Sequence, residues 1–226
     1  MIRGMRAVLF DLDGTLVDTA PDMVEVLFRM MDSHARPRLR YELVRSHVSN
    51  GSLGLVRLGF PEADAERLRR LQHEYLDRYE ERLCEASSLF PGLAGLLDEL
   101  DRHGRPWGVV TNKPRRMTEP LLEQLGLRSR MACAISGDTL PQRKPHPAPL
   151  LLAAKEARIE PASVVYVGDA ARDIEAGRAA GMRTIAAAYG YITADDDAAR
   201  WQADAVASDT AELAQILRKA VNLDGS

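Results

Sequence analysis

The chain has 226 residues, of which 46% are hydrophobic and 28% charged, and its formal net charge is −3 at pH 7. These proportions exclude a disordered or fibrous chain, and the weak negative charge argues against a nucleic-acid or anionic-membrane partner. The two cysteines, Cys84 and Cys133, lie far apart in no metal-ligand spacing, which predicts reduced thiols. Because no stretch resembles a signal core or a membrane span, we expect a cytoplasmic protein.

Short apolar runs recur along the chain and predict strands that are buried on both faces of a parallel sheet. They lie at residues 7–10, 107–111, 132–135, 164–167, 184–187 and 205–206. Amphipathic segments between and after the later runs predict helices at residues 93–102, 116–125, 148–158, 174–180 and 210–221. Strands that alternate with helices in this way indicate a doubly wound, Rossmann-like α/β sheet.

Residues 19–88 interrupt this alternation, because they show helical periodicity and no convincing strand. Two apolar stripes in this region predict core-facing helices. Their members are Met23, Val26, Leu27, Met30 and Met31 in the first stripe, and Leu68, Leu71, Tyr75, Leu76 and Tyr79 in the second. We therefore predict an α/β core made of residues 1–17 and 89–226, with a helical insert made of residues 18–88.

Asp11 and Asp13 directly follow the first predicted strand. Ligands of open parallel sheets bind at the carboxyl ends of the strands, so this is a suitable place for catalytic carboxylates. The alternative is a β-hairpin, since Asp-Gly between apolar residues is a strong hairpin signal. The segment after Gly14 continues into a predicted helix, which favours the functional interpretation.

A second acidic pair, Asp169 and Asp173, follows the strand at residues 164–167 and is separated by one helical turn. Carboxylates gathered at the strand ends need a counter-charge, and a hard divalent cation such as Mg²⁺ would supply it. The alternative is a helix N-terminus in which Asp169 or Ala170 only caps the helix and Asp173 lies in the first turn, where the helix dipole favours negative charge. Thr111, at the end of another strand, and Lys144, before a proline, are candidates to hold an anion.

Four motifs therefore occur in order: Asp-x-Asp-Gly-Thr, a Thr after an apolar strand, Lys-Pro, and Gly-Asp-x-x-x-Asp. Together they resemble the haloacid dehalogenase superfamily of aspartate-nucleophile phosphotransferases, over nearly the whole chain. The insert resembles the small helical cap of that superfamily. Within it, FDLDGTLVDTAPD at residues 10–22, GVVTNKP at 108–114 and KPHP at 144–147 are similar to bacterial phosphoglycolate phosphatases. Residues 107–127 and 189–205 are more similar to N-acetylmuramic acid 6-phosphate phosphatases.

The resemblance implies a role for each matching residue. Asp11 would be the nucleophile that forms an aspartyl phosphate, and Asp13 the general acid and base. Thr111, Asn112 and Lys144 would bind the phosphoryl oxygens. Mg²⁺ would be held by Asp11, the Asp13 carbonyl and Asp169, with Asp173 binding it directly or through water. Arg172 departs from the asparagine that many relatives have at this position.

The segment Ser49, Asn50 and Gly51 matches a polar substrate loop of the cap, and an ordinary interhelical turn is the alternative. The resemblance favours 2-phosphoglycolate as the substrate, with N-acetylmuramic acid 6-phosphate as the alternative, and a sugar-phosphate mutase as a less favoured one. A receiver-type signalling module is disfavoured, because it is shorter and has its phosphoacceptor on a middle strand. The expected partner is a small phosphomonoester, with no nucleic acid or membrane, and the expected state is a monomer or homodimer.

Overall fold

The computed structural model describes residues 2–223, and its main sheet has six parallel strands. The strands are β1 (Ala7–Phe10), β4 (Trp107–Val110), β5 (Cys133–Ile135), β6 (Val164–Gly168), β7 (Arg183–Ala187) and β8 (Ala205–Ala207). They are arranged in the order β5-β4-β1-β6-β7-β8. This is the strand order of a doubly wound nucleotide-binding fold, in which the connections reverse direction beside the first strand. The prediction of a Rossmann-like parallel sheet is confirmed.

The strands form where apolar runs can be covered on both faces. Every residue of β1, β4 and β6 is buried. Helices supply the cover, and they lie between the strands in the sequence as predicted. They are α5 (Leu93–Arg102), α6 (Arg115–Gln124), α7 (Ala148–Glu156), α8 (Ala171–Ala179) and α9 (Thr210–Ala220). Within residues 2–223, none of the helices combines the length and apolar character needed to cross a membrane.

The helical insert contains α1 (Ala20–Ser33), α2 (Tyr41–Ser46), a 3₁₀ turn (Val48–Asn50), α3 (Gly51–Gly59) and α4 (Ala65–Glu80). The first predicted apolar stripe is buried throughout, and in the second Leu71, Tyr75 and Tyr79 are buried while Leu68 and Leu76 are partly buried against the core. Both stripes therefore face the core, as the periodicity predicts. Asp64 begins α4 by accepting a hydrogen bond from the backbone N–H of Arg67 at 2.8 Å.

A short antiparallel ladder joins the two connections between the sheet and the insert. β2 (Val17–Asp18) pairs with β3 (Ser88–Leu89), so that Val17 lies opposite Leu89 and Asp18 opposite Ser88. The sequence predicts no strand between residues 19 and 88, and two-residue strands are too short for periodicity to reveal. The pairing also excludes the hairpin alternative, since β2 pairs with β3 and not with β1. The division of the chain into a core and a cap stays a prediction.

The N-terminus of α8 differs from its prediction by three residues. The helix begins at Ala171 instead of residue 174. The Asp173 carboxylate accepts a hydrogen bond from the backbone N–H of Ala170 at 3.1 Å, which stabilises the first turn. Asp173 therefore lies in the first turn of α8, as the capping alternative states, but this bond uses only one of its oxygens.

Candidate active site

The carboxyl edge of the sheet brings three predicted residues together. Asp11 follows β1, Thr111 follows β4 and Asp169 follows β6. Because β4 and β6 pair with the two sides of β1, these residues come from adjacent strands. All three are buried, and Asp11 and Thr111 line a cavity at this edge. The position matches the ligand-binding crevice of doubly wound sheets.

Three carboxylates meet at this edge. One oxygen from each of Asp11, Asp169 and Asp173 can be chosen so that all three lie within 4.8 Å of one another. Burial, together with the charges of Asp11 and Asp173, raises the pKa of Asp169 to about 7. Burial also raises the pKa of Asp173, while the ammonium of Lys144 opposes that rise. The structure thus brings together three of the predicted metal ligands, whose roles stay predictions.

Asp169 has one hydrogen-bonded and one unbonded carboxylate oxygen. Its Oδ2 accepts hydrogen bonds from the Ser49 hydroxyl at 2.6 Å and from the Tyr191 backbone N–H at 2.9 Å. Its Oδ1 is buried and has no hydrogen-bond partner in the described part of the chain. A Cβ at Gly14 or Gly190 would collide with the Asp169 side chain, so both glycines make room for it. An unbonded buried carboxylate oxygen is costly, and coordination of a cation would satisfy it.

Lys144 supplies a counter-charge inside the cluster. Its ammonium nitrogen lies 2.8 Å from Asp11 Oδ1 and 2.7 Å from Asp173 Oδ1. It also donates to the Val110 carbonyl at 2.9 Å and to the Tyr166 hydroxyl at 2.8 Å. With 3% of its surface exposed, Lys144 neutralises part of the buried aspartate charge. Its binding to phosphoryl oxygens stays a prediction.

Asp13 has a separate set of partners, although it also lines the cavity. Its Oδ1 accepts hydrogen bonds from the Thr19 hydroxyl at 2.7 Å and from the Lys113 ammonium at 3.0 Å. Lys113 also donates to the Tyr79 hydroxyl on α4 at 2.8 Å. The sequence analysis did not propose Lys113. Its rarity was a usable signal, because the chain has only four lysines and this one lies two residues after Thr111.

Asn112 uses its side chain to hold the backbone of Lys144. Its amide nitrogen donates to the Lys144 carbonyl at 3.1 Å, and its amide oxygen accepts from the Lys144 N–H at 3.1 Å. The neighbouring Thr111 hydroxyl accepts a hydrogen bond from the Lys113 N–H at 3.1 Å. The structure therefore places Thr111, Asn112 and Lys144 together, as predicted, but directs the Asn112 side chain to the protein backbone.

The predicted polar segment of the insert reaches the same site. Ser49, Asn50 and Gly51 all line the cavity. The Ser49 hydroxyl donates to Asp169, and the Ser49 carbonyl accepts a hydrogen bond from the Arg172 guanidinium at 2.8 Å. Asn50 is exposed, and Gly51 has a φ of +70°, in the left-handed region that favours glycine. Ser49 thus contacts the carboxylate cluster itself.

The cavity has a volume of about 570 Å³ and two chemically different sides. Its polar side includes Asp11, Asp13, Thr111 and Lys113. Its apolar wall is formed by Met23, Val48, Leu53, Tyr75, Leu76, Tyr79, Pro114 and Met117. One polar pair interrupts that wall, where the Gln72 amide nitrogen donates to the Ser52 hydroxyl at 3.0 Å. The site therefore combines an anionic centre with space for an apolar or amphipathic group.

Comparison with known proteins identifies the family. The model of the haloacid dehalogenase-like hydrolases matches residues 8–187, which include the three clustered aspartates. This chain belongs to the haloacid dehalogenase-like hydrolase family. The family assignment predicted from the four motifs is confirmed.

Curated relatives of this haloacid dehalogenase-like hydrolase are phosphatases. It is 44% identical over 220 residues to the N-acetylmuramic acid 6-phosphate phosphatase of Pseudomonas putida, covering 96% of this chain and 98% of that protein. It is 44% identical over 212 residues to a phosphoglycolate phosphatase of Xanthomonas campestris, covering 94% and 96%. The predicted enzyme class, a phosphoric monoester hydrolase, is confirmed by these relatives.

Solved structures agree with this assignment. The crystal structure of a predicted phosphoglycolate phosphatase from Haemophilus somnus 129PT superposes with a TM-score of 0.83 and 28% sequence identity. The match covers 96% of this chain and 100% of that one. The hydrolase therefore shares the overall α/β fold of that protein.

Proposed function

We propose that this hydrolase is a Mg²⁺-dependent phosphomonoesterase that acts through an aspartyl phosphate on Asp11. The observation that carries the proposal is the cluster of Asp11, Asp169 and Asp173, which contains a buried, unbonded oxygen on Asp169 and in which Asp11 lines the cavity. The Lys144 ammonium and the nearby Arg172 guanidinium carry two positive charges against three carboxylates. A bound divalent cation would supply the missing charge.

The donor set fits Mg²⁺, because hard oxygen ligands are the ones that this ion prefers. Asp11, the Asp13 carbonyl and Asp169 would hold it, with Asp173 binding directly or through water. When bound, the ion would neutralise negative charge between an anionic nucleophile and an anionic phosphate. The buried Lys144 ammonium contacts Asp11 and Asp173 and would neutralise part of the same negative charge.

Asp11 is the proposed nucleophile because it directly follows β1, begins the Asp-x-Asp-Gly-Thr motif and lines the cavity. Oδ1 lies 2.8 Å from the Lys144 ammonium and accepts a hydrogen bond from the Leu12 N–H at 2.8 Å. Oδ2 has no such donor in the described part of the chain, and the residue lines the cavity. Attack by this oxygen on phosphorus would form the aspartyl phosphate and release the leaving group. Thr111, the Asn112 backbone and Lys144 would bind the other phosphoryl oxygens.

Asp13 is the proposed general acid and base. It lines the same cavity two residues from Asp11, and the Thr19 and Lys113 hydrogen bonds hold its side chain in place. In the first step it would give a proton to the leaving oxygen, and in the second it would take a proton from the attacking water.

Two substrates follow from the named relatives. 2-Phosphoglycolate is the primary candidate, since a relative in Xanthomonas campestris is named a phosphoglycolate phosphatase. N-Acetylmuramic acid 6-phosphate is the second, and a specific observation favours it. The cavity has a volume of about 570 Å³, which is more than a two-carbon leaving group could fill. Its apolar wall would be left largely uncovered by such a small group.

Steady-state kinetics on both phosphates, with and without Mg²⁺, tests the proposal. We expect hydrolysis that EDTA abolishes and added Mg²⁺ restores. A kcat/KM at least about tenfold higher for the amino-sugar phosphate would make it the primary substrate. Full activity in excess EDTA would contradict the metal-dependent mechanism. We further propose a cytoplasmic location, a small phosphomonoester as the partner with no nucleic acid or membrane, and a monomeric or homodimeric state.

A further inference from the structure

A continuous set of hydrogen bonds joins the helical insert to the carboxylate cluster. The Ser49 hydroxyl donates to Asp169 Oδ2 at 2.6 Å, and the Arg172 guanidinium donates to the Ser49 carbonyl at 2.8 Å. Ser49 lies in the 3₁₀ turn of the insert, whereas Asp169 and Arg172 follow β6. A single residue of the insert therefore makes two hydrogen bonds to the segment that follows β6, both within the site.

The contact with Asp169 limits how its carboxylate can turn. Two donors, the Ser49 hydroxyl and the Tyr191 N–H, bind the same oxygen, Oδ2. The other oxygen, Oδ1, is buried and has no hydrogen-bond partner among residues 2–223. Turning the carboxylate out of its present plane would break both hydrogen bonds, so Ser49 helps to fix the direction in which the unbonded oxygen points.

The contact with Arg172 holds Ser49 in place. Arg172 directly precedes Asp173 in the first turn of α8, so the guanidinium belongs to the segment that carries the cluster. The guanidinium is positively charged and lies near the carboxylates of Asp173, Asp11 and Asp169. A charged donor forms a stronger hydrogen bond to a carbonyl than a neutral one.

We propose that Ser49 and Arg172 are positioning residues for the metal site: with the insert against the sheet, they hold Asp169 in its cation-binding orientation. This inference rests on the proposed function, because it requires Asp169 to be a metal ligand. It also implies a reciprocal effect. If closure of the insert strengthens Mg²⁺ binding, then Mg²⁺ binding must favour closure by the same factor.

Calorimetric titration of the substrate-free chain with MgCl₂ tests the role of the Ser49 hydroxyl. Ser49→Ala should weaken Mg²⁺ binding by roughly tenfold, the lower end of the range for partners of metal ligands. Ser49→Thr keeps the hydroxyl and should stay within about threefold of the wild type. Ser46→Ala is the matched control, because the Ser46 hydroxyl bonds to the Leu43 carbonyl within the insert.

Arg172→Lys tests the second contact without removing the positive charge. Arg172→Lys should weaken Mg²⁺ binding, as Ser49→Ala does. The control is Arg178→Lys on the same helix, which should leave Mg²⁺ binding unchanged. The Arg178 guanidinium contacts Gln202 instead. Because the two residues act through one chain of hydrogen bonds, the double variant should be only slightly weaker than the worse single variant.

Hydrogen exchange of residues 48–50 provides a readout independent of activity. Mg²⁺ should slow exchange there in the wild type and have a smaller effect in Ser49→Ala. Unchanged Mg²⁺ affinity and unchanged protection in Ser49→Ala would overturn the positioning role alone. If the wild-type chain binds no Mg²⁺, or binds it as tightly after Asp169→Asn, both this inference and the proposed metal dependence are overturned.

Discussion

The two carboxylate oxygens of Asp11 have different surroundings. Lys144 and the Leu12 N–H both contact Oδ1, and the residue is only 4% exposed although it lines the cavity. Protein donors therefore hold Oδ1 in place, and Oδ2 is the oxygen that would attack phosphorus. A neutral amide has the same shape but cannot act as the nucleophile.

Asp11→Asn should therefore lose turnover by at least about a thousandfold while the protein stays folded. Initial rates on p-nitrophenyl phosphate measure the loss, and thermal unfolding checks the fold. Asp98→Asn is the control, since Asp98 is an exposed residue of α5 that pairs with Arg130. Substantial residual activity in Asp11→Asn would rule out the aspartyl phosphate on this residue.

Asp13→Asn should have an effect that depends on the leaving group. An alkoxide needs protonation as it leaves, whereas p-nitrophenolate needs little, so formation of the aspartyl phosphate should slow strongly only for alkyl phosphates. General acid catalysis is worth about 10²- to 10⁴-fold for such a step. Breakdown of the intermediate should slow for both esters.

Rapid-quench measurement of the initial burst with both esters separates these steps. If Asp13→Asn slows the burst equally for the two, Asp13 acts through local structure and its acid role must be withdrawn. Lys113 and Thr19 make that structural outcome a real alternative, because both bond to the Asp13 carboxylate.

Asp169 should make the stability of the metal-free protein depend on pH. Burial raises its pKa from 3.8 to about 7, so between these pH values the folded protein holds a proton that the unfolded chain has released. The folded state binds more protons, and therefore its stability should fall as the pH rises from about 4 towards 7. Mg²⁺ displaces that proton, so it should raise the Tm more at about pH 8 than at about pH 5.5.

Thermal unfolding across this range, with and without Mg²⁺, measures the effect. Other groups titrate over the same range, so the informative quantity is the difference between the wild type and Asp169→Asn. The amide imitates the protonated carboxyl group and should remove this contribution. Identical pH profiles for the two proteins would show that Asp169 does not hold the proton.

At the scale of elements, α1 forms hydrogen bonds to the segment before β3, through which the chain returns from the insert to the sheet. Asp22, in the first turn of α1, is buried and accepts hydrogen bonds from the N–H groups of Ala86 and Ser87 at 2.9 and 2.8 Å. It also accepts one from the Ser87 hydroxyl at 2.6 Å. These bonds keep the segment before β3 against the start of α1, next to the β2–β3 ladder.

Asp22→Ala should lower the free energy of unfolding by about 2–4 kcal/mol, because it leaves buried donors without an acceptor. Urea unfolding measures the change. Asp32→Ala, at the exposed end of the same helix, is the matched control and should have no measurable effect, since Asp32 only forms a surface pair with Arg38. Equal stability of Asp22→Ala and the wild type would mean that this connection contributes little to the fold.

At the scale of the whole molecule, the cavity exists only because the insert covers the carboxyl edge of the sheet. Its polar side comes mainly from the sheet, and most of its apolar wall comes from α1, α3 and α4. The Gln72–Ser52 pair is one polar feature of the lining that the insert contributes. We expect it to contact polar groups of a large leaving group and to lie beyond the reach of a small one.

Gln72→Ala should lower kcat/KM for N-acetylmuramic acid 6-phosphate by about three- to tenfold, the value of one neutral hydrogen bond. The kcat/KM for 2-phosphoglycolate and p-nitrophenyl phosphate should stay nearly constant. Parallel kinetics on the three esters provide the comparison. An equal loss for all three would show that Gln72 supports the structure of the insert and does not contact the leaving group.

The sequence by itself determined the sheet, the helical insert and the family, because these depend on local patterns. Apolar runs such as residues 164–167 recur along the chain, and period-based stripes identify the buried faces of α1 and α4. The Asp-x-Asp-Gly-Thr and Gly-Asp-x-x-x-Asp motifs are contiguous, so Asp11 and Asp169 could be proposed from the order of residues alone.

Only the tertiary structure decided which groups balance the charges and which residue of the insert contacts the cluster. Lys113 reaches Asp13 across 100 positions of sequence, and Ser49 reaches Asp169 across 120. The β2–β3 ladder is also non-local, because Val17 pairs with Leu89. Each of its strands has only two residues, which is too short to show a periodicity. Such contacts depend on how separate elements pack, and no local pattern of residue types specifies a partner that packing alone brings within hydrogen-bonding distance.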